Sequence, residues 1–344
     1  MTMNWKRNSK KYIAGILTIA LAVGAGQSYG SMEVSAQERT LPGIEKLVQD
    51  TKQLQQYQEE PSVAEDLEKI PVLRREDISR EIAPIYNEVL DFDSTPVIYH
   101  EIETNGIGYV DLLFDLSGVS EEMLPYAGIL QAVLGIIDTN NYEYGELFNE
   151  INVHTGGIGT SLELYPNVEK VKEKEFRATF EIKTKALYGK LPVAFRMMQE
   201  ILTESKLTDE RRLKEILSMA KSRLQMRFQS SGHTTAALRA MSYASPLSKL
   251  KDLTSGIGYY EIVKQIEEHF EEEKDTLIKN LQTLTKLLFR PENMMVSYTA
   301  AREGMEGLEK LVSELKAKLF TEPVQGQPCV IHCEKKNEGF KTSS

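Results

Sequence analysis

The chain has 344 residues, of which 41% are apolar and 27% are charged, as expected for a globular protein with a sizeable core. It carries 41 Lys and Arg against 51 Asp and Glu, and this net charge of −10 argues against a nucleic-acid partner, because such binding relies on basic residues that neutralise phosphates. Its two cysteines, Cys329 and Cys333, are too few for a disulfide framework or a Cys-rich zinc fold.

The first 36 residues have the pattern of an export signal. Basic residues come first, and an uncharged run over Ile13–Ala25 and a stretch of small and polar residues follow. The run is shorter than the roughly 20 residues that cross a bilayer. We therefore predict a signal peptide over residues 1–36, cleaved after Gly30 or Ala36, and an exported protein; a buried helix is the alternative. The basic residues are Lys6, Arg7, Lys10 and Lys11.

A helical connector is predicted over residues 41–92. Apolar residues recur at helical spacing from Ile44 to Tyr57, Pro61 interrupts the helix, and a second short helix fits Val63–Lys69. Three prolines over residues 71–96 indicate an extended segment.

The pattern changes at Val97 to that of a sheet. Two apolar runs flank Asn105-Gly106, which predicts a β-hairpin. In the second run alternate residues are apolar, and these should face the core: Gly108, Val110, Leu112, Phe114 and Leu116.

The rest of the chain alternates helices and strands. In the strand predicted over Glu175–Thr184, one face is polar and should be half-solvated, with Arg177, Thr179, Glu181 and Lys183. The pattern predicts an α+β fold over residues 93–320, a mostly antiparallel sheet with helices packed on one face, and then a linker over residues 321–344 that begins a further domain. The other predicted strands are Gly159–Tyr165 and Met294–Thr299, and the helices are Leu124–Ile137, Tyr142–Val153, Leu191–Glu204, Thr208–Ser230, Thr234–Tyr243, 259–289 and Gly307–Phe320.

Three local features could carry chemistry, and each has a simpler interpretation that we favour. His233 lies between two predicted helices and is more typical of a capping residue than of a functional histidine. Cys329, His332 and Cys333 could bind a metal, or the two cysteines could pair in a small disulfide loop. A plain linker or strand fits better, since no second ligand pair is near. Gly156-Gly157 could approach a ligand, but a helix end before a strand is the simpler interpretation.

Several spaced segments resemble one family. They are TNGIGYVDLLFDLSGVSEEMLPYAGIL, YEYGELFNEINVHTGG, SSGHTTAALRAMSYASP and SGIGYYEIVKQI. They resemble the pitrilysin/insulinase-type (M16) metallopeptidases, and within these the presequence-protease branch. The segment EKLVQDTKQLQQYQEEPS resembles the helical connector between the two halves of those enzymes, and KNEGFKTSS resembles the start of their fourth domain. The resemblance runs from about Leu41 to the end of the chain.

The resemblance implies a four-domain zinc peptidase whose two halves enclose a chamber in which unfolded peptides are cut. This chain would supply the connector and the third domain. The helix over Leu124–Ile137 corresponds to the helix that carries the inverted zinc motif in the first domain, but Ile129, Ala132 and Val133 stand where His, Glu and His would be. Apolar side chains can neither bind zinc nor activate water.

The resemblance therefore assigns no catalytic, cofactor-binding or metal-binding residue to this chain, and it implies zinc only for the catalytic half. The predicted function is that of the non-catalytic chamber-wall portion of an exported zinc metallopeptidase. Its partners would be the catalytic half and unstructured peptides. The alternatives are a secreted peptide-binding scaffold, which would be a pseudoenzyme, and a truncated gene product.

Overall fold

The computed structural model describes residues 41–81, 86–170 and 175–341, which form part of two compact units, Met1–Ile82 and Ala83–Ser344. The predicted signal peptide lies outside the described residues. Within those residues, no helix has the length and apolar character needed to cross a membrane.

The first unit contains the two predicted helices, α1 (Leu41–Glu59) and α2 (Ala64–Lys69). Pro61 lies between them, where a helix interior would not tolerate it. A 3₁₀ turn follows at Arg75–Asp77, and its Asp77 carboxylate accepts a hydrogen bond from the Arg74 backbone N–H at 2.8 Å. All residues from 45 to 81 are exposed, so these helices bury no side chain there.

The second unit contains a six-stranded sheet in the order β1-β2-β6-β3-β5-β4. All neighbouring strands are antiparallel except β2 and β6, which are parallel. The predicted α+β class with a mostly antiparallel sheet is therefore confirmed. The strands are β1 (Glu88–Phe92), β2 (Thr95–Glu101), β3 (Ile107–Asp115), β4 (Ile158–Pro166), β5 (Phe176–Leu187) and β6 (Met294–Ala300).

The predicted hairpin between β2 and β3 is wrong. The turn exists, with positive φ at Asn105 (51°) and Gly106 (80°), but β6 lies between the two strands. Gly108 on β3 makes room for Tyr298 of β6, since a Cβ at Gly108 would lie 2.7 Å from the Tyr298 hydroxyl oxygen. The turn signal is local, and it does not reveal a strand that enters from the far end of the chain.

Strand β1 was also not predicted, because its residues were placed in the extended connector. It pairs with β2 through a tight turn in which Asp93 (53°) and Ser94 (61°) both have positive φ. The Asp91 carboxylate accepts a hydrogen bond from the Ser94 N–H at 2.8 Å and closes the turn. The sheet therefore starts at Glu88, before the predicted domain boundary at residue 93.

The helices of the second unit follow the predicted order with three differences. The helix from Leu124 ends at Val133, because Leu134 is extended and Gly135 has a φ of 85°. The stretch 259–289 is two helices separated at His269, and the helix over Pro246–Ser255 was not predicted. The helices are α3 (Leu124–Val133), α4 (Tyr144–His154), α5 (Leu191–Thr203), α6 (Glu210–Ser230), α7 (Gly232–Ser242), α8 (Pro246–Ser255), α9 (Ile257–Glu268), α10 (Phe270–Leu288) and α11 (Leu308–Lys316).

The core lies between the helices and one face of the sheet. Phe114 of β3 and Phe180 of β5 both meet the Phe289 ring edge to face, with centroid distances of 5.1 and 5.3 Å. Such aromatic pairs add to the free energy gained by burial. The predicted core-facing residues Val110, Leu112, Phe114 and Leu116 are fully buried.

Candidate functional site

Helix α3 is the helix that the resemblance compares with the zinc-motif helix. Ile129 and Val133 are buried in the core, and Ala132 packs against it. Gly128, on the same helix, lies so close to the Thr254 carbonyl oxygen that a Cβ there would be 2.6 Å from it. The helix is therefore packed tightly against α8, and apolar packing accounts for its three motif-position residues.

The three local features singled out from the sequence lie apart. His233 is exposed in the first turn of α7, and Ser231 rather than His233 is the N-cap residue. The glycines at 156 and 157 join the end of α4 to β4, as the simpler interpretation predicts, and Gly157 has a φ of 97°.

Cys329, His332 and Cys333 lie in an extended C-terminal segment, and the disulfide considered from the sequence is not formed. Both cysteines are free; Cys329 is half-buried against the core and Cys333 is exposed. The His332 Nδ1 lies 2.9 Å from a carboxylate oxygen of Glu121. His332 is therefore a hydrogen-bond partner of Glu121 at the surface, and these three residues form no metal-ligand arrangement.

The sheet face that points away from the helices is polar, and we call it the open face. On β3 and β5, the residues between the core-facing ones lie on it, and Tyr109 is 42% exposed there. The prediction of a half-solvated polar face is wrong for two of its residues, since Thr179 is 2% exposed and Glu181 only 1%. A carboxylate this deeply buried needs partners, because burial of an unpaired charge is costly.

Those partners converge on Glu181 from three directions. The hydroxyls of Tyr165 and Thr179 each donate to Oε1 at 2.6 Å, and the Lys183 Nζ lies 2.8 Å from Oε2. Burial and the hydrogen bond to Glu181 raise the pKa of Tyr165, so it remains a protonated donor. The open face therefore has an ordered polar centre rather than a loose set of solvated side chains.

Nearby charges also affect the pKa values of Asp111 and Lys183. Burial raises the pKa of the Asp111 carboxyl, and the carboxylates of Glu181 and Glu163 add to that effect against the opposing influence of Lys183. For Lys183, burial lowers the pKa, but the ion pair with Glu181 and the surrounding carboxylates outweigh it and raise the pKa. Asp111 and Lys183 are charged groups that can bind polar or charged parts of a ligand. In the described contacts, neither is paired with a nucleophile.

The outer edge of β4 offers unpaired backbone groups. The Asn167 N–H donates to the Glu175 carbonyl at 2.9 Å, and this register directs the odd-numbered residues of β4 toward β5. Thr160, Leu162 and Leu164 therefore point their N–H and C=O groups away from the sheet. The side-chain amide of Gln131 in α3 donates a hydrogen bond to the Thr160 carbonyl at 3.4 Å. Among the described residues, the edge at Leu162 and Leu164 is free to pair with another chain.

Comparison with known proteins identifies the family. The model of the peptidase M16 (subfamily C) associated family matches residues 34–266. The chain belongs to this family. The predicted kinship with M16 peptidases of the presequence-protease branch is thereby confirmed.

The relatives of this peptidase-associated chain are much longer than the chain itself. It is 33% identical to Protein HypA of Clostridium perfringens over 308 aligned residues. The aligned region covers 90% of this chain and 31% of that protein. It is 26% identical to Presequence protease 1, chloroplastic/mitochondrial, of Arabidopsis thaliana over 284 aligned residues. The aligned region covers 82% of this chain and 26% of that protein. The chain thus spans about a third or less of these relatives.

Among solved structures, the peptidase-associated chain shares its fold with pitrilysin. The TM-score is 0.50 at 12% identity, over 74% of this chain and 25% of pitrilysin. A likeness at this identity concerns the fold alone, because folds host unrelated chemistries.

An M16 peptidase fold implies zinc, but the residues of this chain do not fit it. Zinc binds to Cys sulfur, His nitrogen and carboxylate oxygen. Ile129, Ala132 and Val133 offer none of these atoms, and no group of three or more His, Cys, Asp or Glu that could hold a metal occurs among the described residues. The lack of zinc ligands at these three positions can be read directly from the sequence. The alternating pattern of β5, in contrast, gave no indication that Glu181 is buried.

Proposed function

We propose that this chain is the non-catalytic chamber-wall portion of a zinc metallopeptidase whose catalytic half holds the zinc. The observation that carries the proposal is helix α3, whose motif positions hold Ile129, Ala132 and Val133 packed in or against the core. Membership of the M16-associated family supports it.

The first unit supports the requirement for a partner half. Leu47, Leu54 and Tyr57 of α1 are 66%, 56% and 78% exposed, so this helix presents apolar side chains that its own unit does not cover. Isolated helices of this length are marginal in water, and tertiary packing supplies most of the stability of protein helices. A catalytic half that packs on α1 would bury these side chains.

Purified full-length chain tests the lack of catalysis. We expect no cleavage of an unstructured fluorogenic peptide, with or without added zinc, because no group of His, Cys, Asp or Glu among the described residues could hold the ion. Cleavage that a chelator abolishes would refute the proposal. Joint expression with an adjacent reading frame that carries the inverted zinc motif should then produce activity that neither chain has alone.

Contact with peptide substrate is proposed for the open face and the free edge of β4. An extended peptide can pair with an exposed strand edge through backbone hydrogen bonds. Leu164→Pro removes an outward N–H without removing a β4–β5 bond, whereas Leu164→Ala keeps that N–H as a matched control. We expect the proline variant to bind a labelled unstructured peptide more weakly than the alanine variant, by fluorescence anisotropy. Equal affinities would exclude this edge.

The scaffold alternative predicts a different result in the same experiments. A peptide-binding protein without an enzymatic partner would bind unstructured peptides tightly by itself and would gain no activity from any zinc-motif chain. The unpaired backbone at Leu162 and Leu164 is the observation that favours this interpretation. Weak binding by the isolated chain together with activity on reconstitution favours the chamber wall instead.

Export is also proposed, on the sequence pattern of residues 1–36 alone. A signal peptidase should remove the segment after Gly30 or Ala36, and N-terminal sequencing of the mature protein would identify the site. A mature protein that still begins at Met1 would refute cleavage.

A further inference from the structure

The helices α6 to α9 contain a buried arginine whose partners come from two parts of the chain. Arg239 of α7 is only 8% exposed. Its Nη1 donates to the Asp252 carboxylate of α8 at 2.6 Å. Asp252 also accepts the backbone N–H groups of Ile257 and Gly258 at the start of α9, so its oxygens are shared among three donors.

The remaining donors of Arg239 point to the C-terminal segment over residues 321–341, which we call the tail. The Nε and Nη2 of Arg239 donate to the two carboxylate oxygens of Glu338 at 2.5 and 3.2 Å. The Tyr243 hydroxyl donates to the same carboxylate at 2.7 Å. Without Glu338, Arg239 would keep Asp252, but among the described residues its Nε would have no acceptor and its Nη2 would have Glu261 at 3.8 Å. Buried donors without an acceptor are costly, so this place favours a second carboxylate.

An aromatic pair lies beside the arginine. Phe228 of α6 and Tyr260 of α9 meet edge to face with centroids 5.3 Å apart. Phe340 of the tail joins them at 5.4 and 5.6 Å, again edge to face. We call the receiving group the socket: Phe228, Arg239, Tyr243, Asp252 and Tyr260.

The spacing of the tail matches the socket. The tail has neither helix nor strand through Glu338 and Phe340, and in an extended chain the side chains at i and i+2 point to the same side. The carboxylate of Glu338 thus meets the arginine while the ring of Phe340 meets the aromatic pair. A cavity of about 470 Å³ at this place is bounded by both the socket helices and the tail.

The tail has a second anchor further upstream. The N–H groups of Gln327 and Cys329 donate to the carbonyls of Gly118 and Ser117 at 3.0 and 2.9 Å, beside the end of β3. Between the two anchors the tail borders a larger cleft of about 890 Å³, which is also lined by α3, α8 and α9. The tail is therefore fixed at both ends of this cleft.

We propose that the socket is a recognition site for an extended segment with an acidic residue and an aromatic residue two positions later, and that this chain's own Glu338 and Phe340 occupy it as a releasable latch over the cleft. The latch is releasable because the Glu338 side chain is 34% exposed and Phe340 is 42% exposed, whereas Arg239 stays buried. This site is separate from the open face and does not depend on the chamber-wall proposal.

Peptide competition tests the latch on the full-length chain. The probe is a fluorescein-labelled peptide with the sequence of residues 334–341, and the matched control peptide has Gln and Ala at the positions of Glu338 and Phe340. The variant Glu338→Gln/Phe340→Ala weakens the tail's hold on the socket, because it removes the carboxylate charge and the ring, and it leaves the socket residues unchanged. We expect this variant to bind the probe at least about 10-fold more tightly than the wild-type chain, whose tail competes at high effective concentration. The control peptide should not bind.

Changes in the socket give the second part of the test. Added to the double variant, Arg239→Met should abolish probe binding, and Tyr243→Phe should weaken it by loss of one hydrogen bond while the fold is retained. For Arg239→Met, circular dichroism distinguishes loss of the binding site from loss of the fold. If Arg239→Met does not fold, the binding of the probe by Tyr243→Phe is the deciding measurement. Equal probe binding by wild-type and double-variant chains, or no effect of Tyr243→Phe, would overturn the proposal. A wild-type dimer that dissociates in the double variant would overturn occupancy by the chain's own tail.

Discussion

Glu181 shows how a single residue can differ from the pattern that contains it. Its strand alternates apolar and polar residues, which is typical of a face in water, yet this carboxylate is 1% exposed. Two hydroxyl donors and one ammonium group compensate for its lost hydration. Hydrogen bonds to charged groups contribute about 1.5–3 kcal/mol each, more than those between neutral groups. The open face is therefore held in shape by a charged centre.

This centre predicts the effect of Glu181→Gln. An amide keeps an oxygen for Tyr165 and Thr179 but places its NH₂ group against the Lys183 ammonium. We expect a loss of about 1–3 kcal/mol in the free energy of unfolding, measured by urea denaturation. Glu163→Gln is the control, because Glu163 is 43% exposed and lies 3.5 Å from the same lysine; its loss should stay below about 0.5 kcal/mol. Equal losses would contradict the assigned role of Glu181.

The tail latch predicts a pH dependence. Hydrogen bonds from Arg239 and then Tyr243 hold the pKa of Glu338 at about 2, below its ordinary value of 4.5. A carboxyl group whose pKa is lower in the folded state stabilises the fold fully above its unfolded pKa, and this contribution is lost as the pH falls through the folded pKa. The difference in unfolding free energy between wild type and Glu338→Gln should therefore be constant above about pH 5 and should shrink from about pH 4.5 toward pH 2.

Urea titrations of both proteins from pH 7 to pH 2 measure this difference. Glu334→Gln, an exposed substitution on the same tail, should show no such trend. A difference that already vanishes near pH 6, or that persists unchanged at pH 2, would show that Glu338 is not the titrating group.

At the scale of elements, α3 is held in place by apolar packing. Its motif positions hold apolar side chains that pack in or against the core, and its Gly128 allows close approach of α8 and α9. A Cβ at Gly128 would meet the Thr254 carbonyl oxygen at 2.6 Å and the Tyr259 ring at 2.9 Å. The helix is positioned by shape rather than by metal coordination.

We therefore predict that Gly128→Ala destabilises the protein. A new methyl group against backbone cannot be accommodated by rotation of a side chain, and overpacking costs about 1–3 kcal/mol. Gly145→Ala in α4 is the matched control, because a Cβ there would meet nothing within 4 Å. In thermal melts Gly128→Ala should lower the midpoint, and Gly145→Ala should leave it unchanged or slightly raise it. Equal midpoints would refute the close packing of α3.

The elements also show what the sequence can and cannot predict. Alternation on β3 correctly placed Val110, Leu112 and Phe114 in the core, because burial of one sheet face follows from a period of two. The alternating pattern could not predict that β6 lies between β2 and β3, since strand order depends on contacts between distant parts of the chain. The lack of zinc ligands on α3 could be read directly from its residues. The socket around Arg239 could not, because four helices and the tail come together to form it.

At the scale of the whole molecule, the two units differ in how they can be stable. Among the described residues, the buried hydrophobic core lies within the second unit, from Val97 to Leu319, with Leu90 and Ile331 packed against it. The first unit contributes helices whose residues from 45 onward are exposed. A segment with its own core can fold alone, whereas a helix without packing is marginal.

This difference predicts the behaviour of the separated units. A fragment of residues 83–344 should unfold in one cooperative urea transition, because the complete sheet, its helices and the tail latch lie within it. A peptide of residues 41–81 should show only weak helical circular dichroism in water, since residues 45–81 are all exposed, and its helicity should rise when a catalytic half binds. A fragment without a cooperative transition, or a fully helical isolated peptide, would contradict this division of stability between the two units.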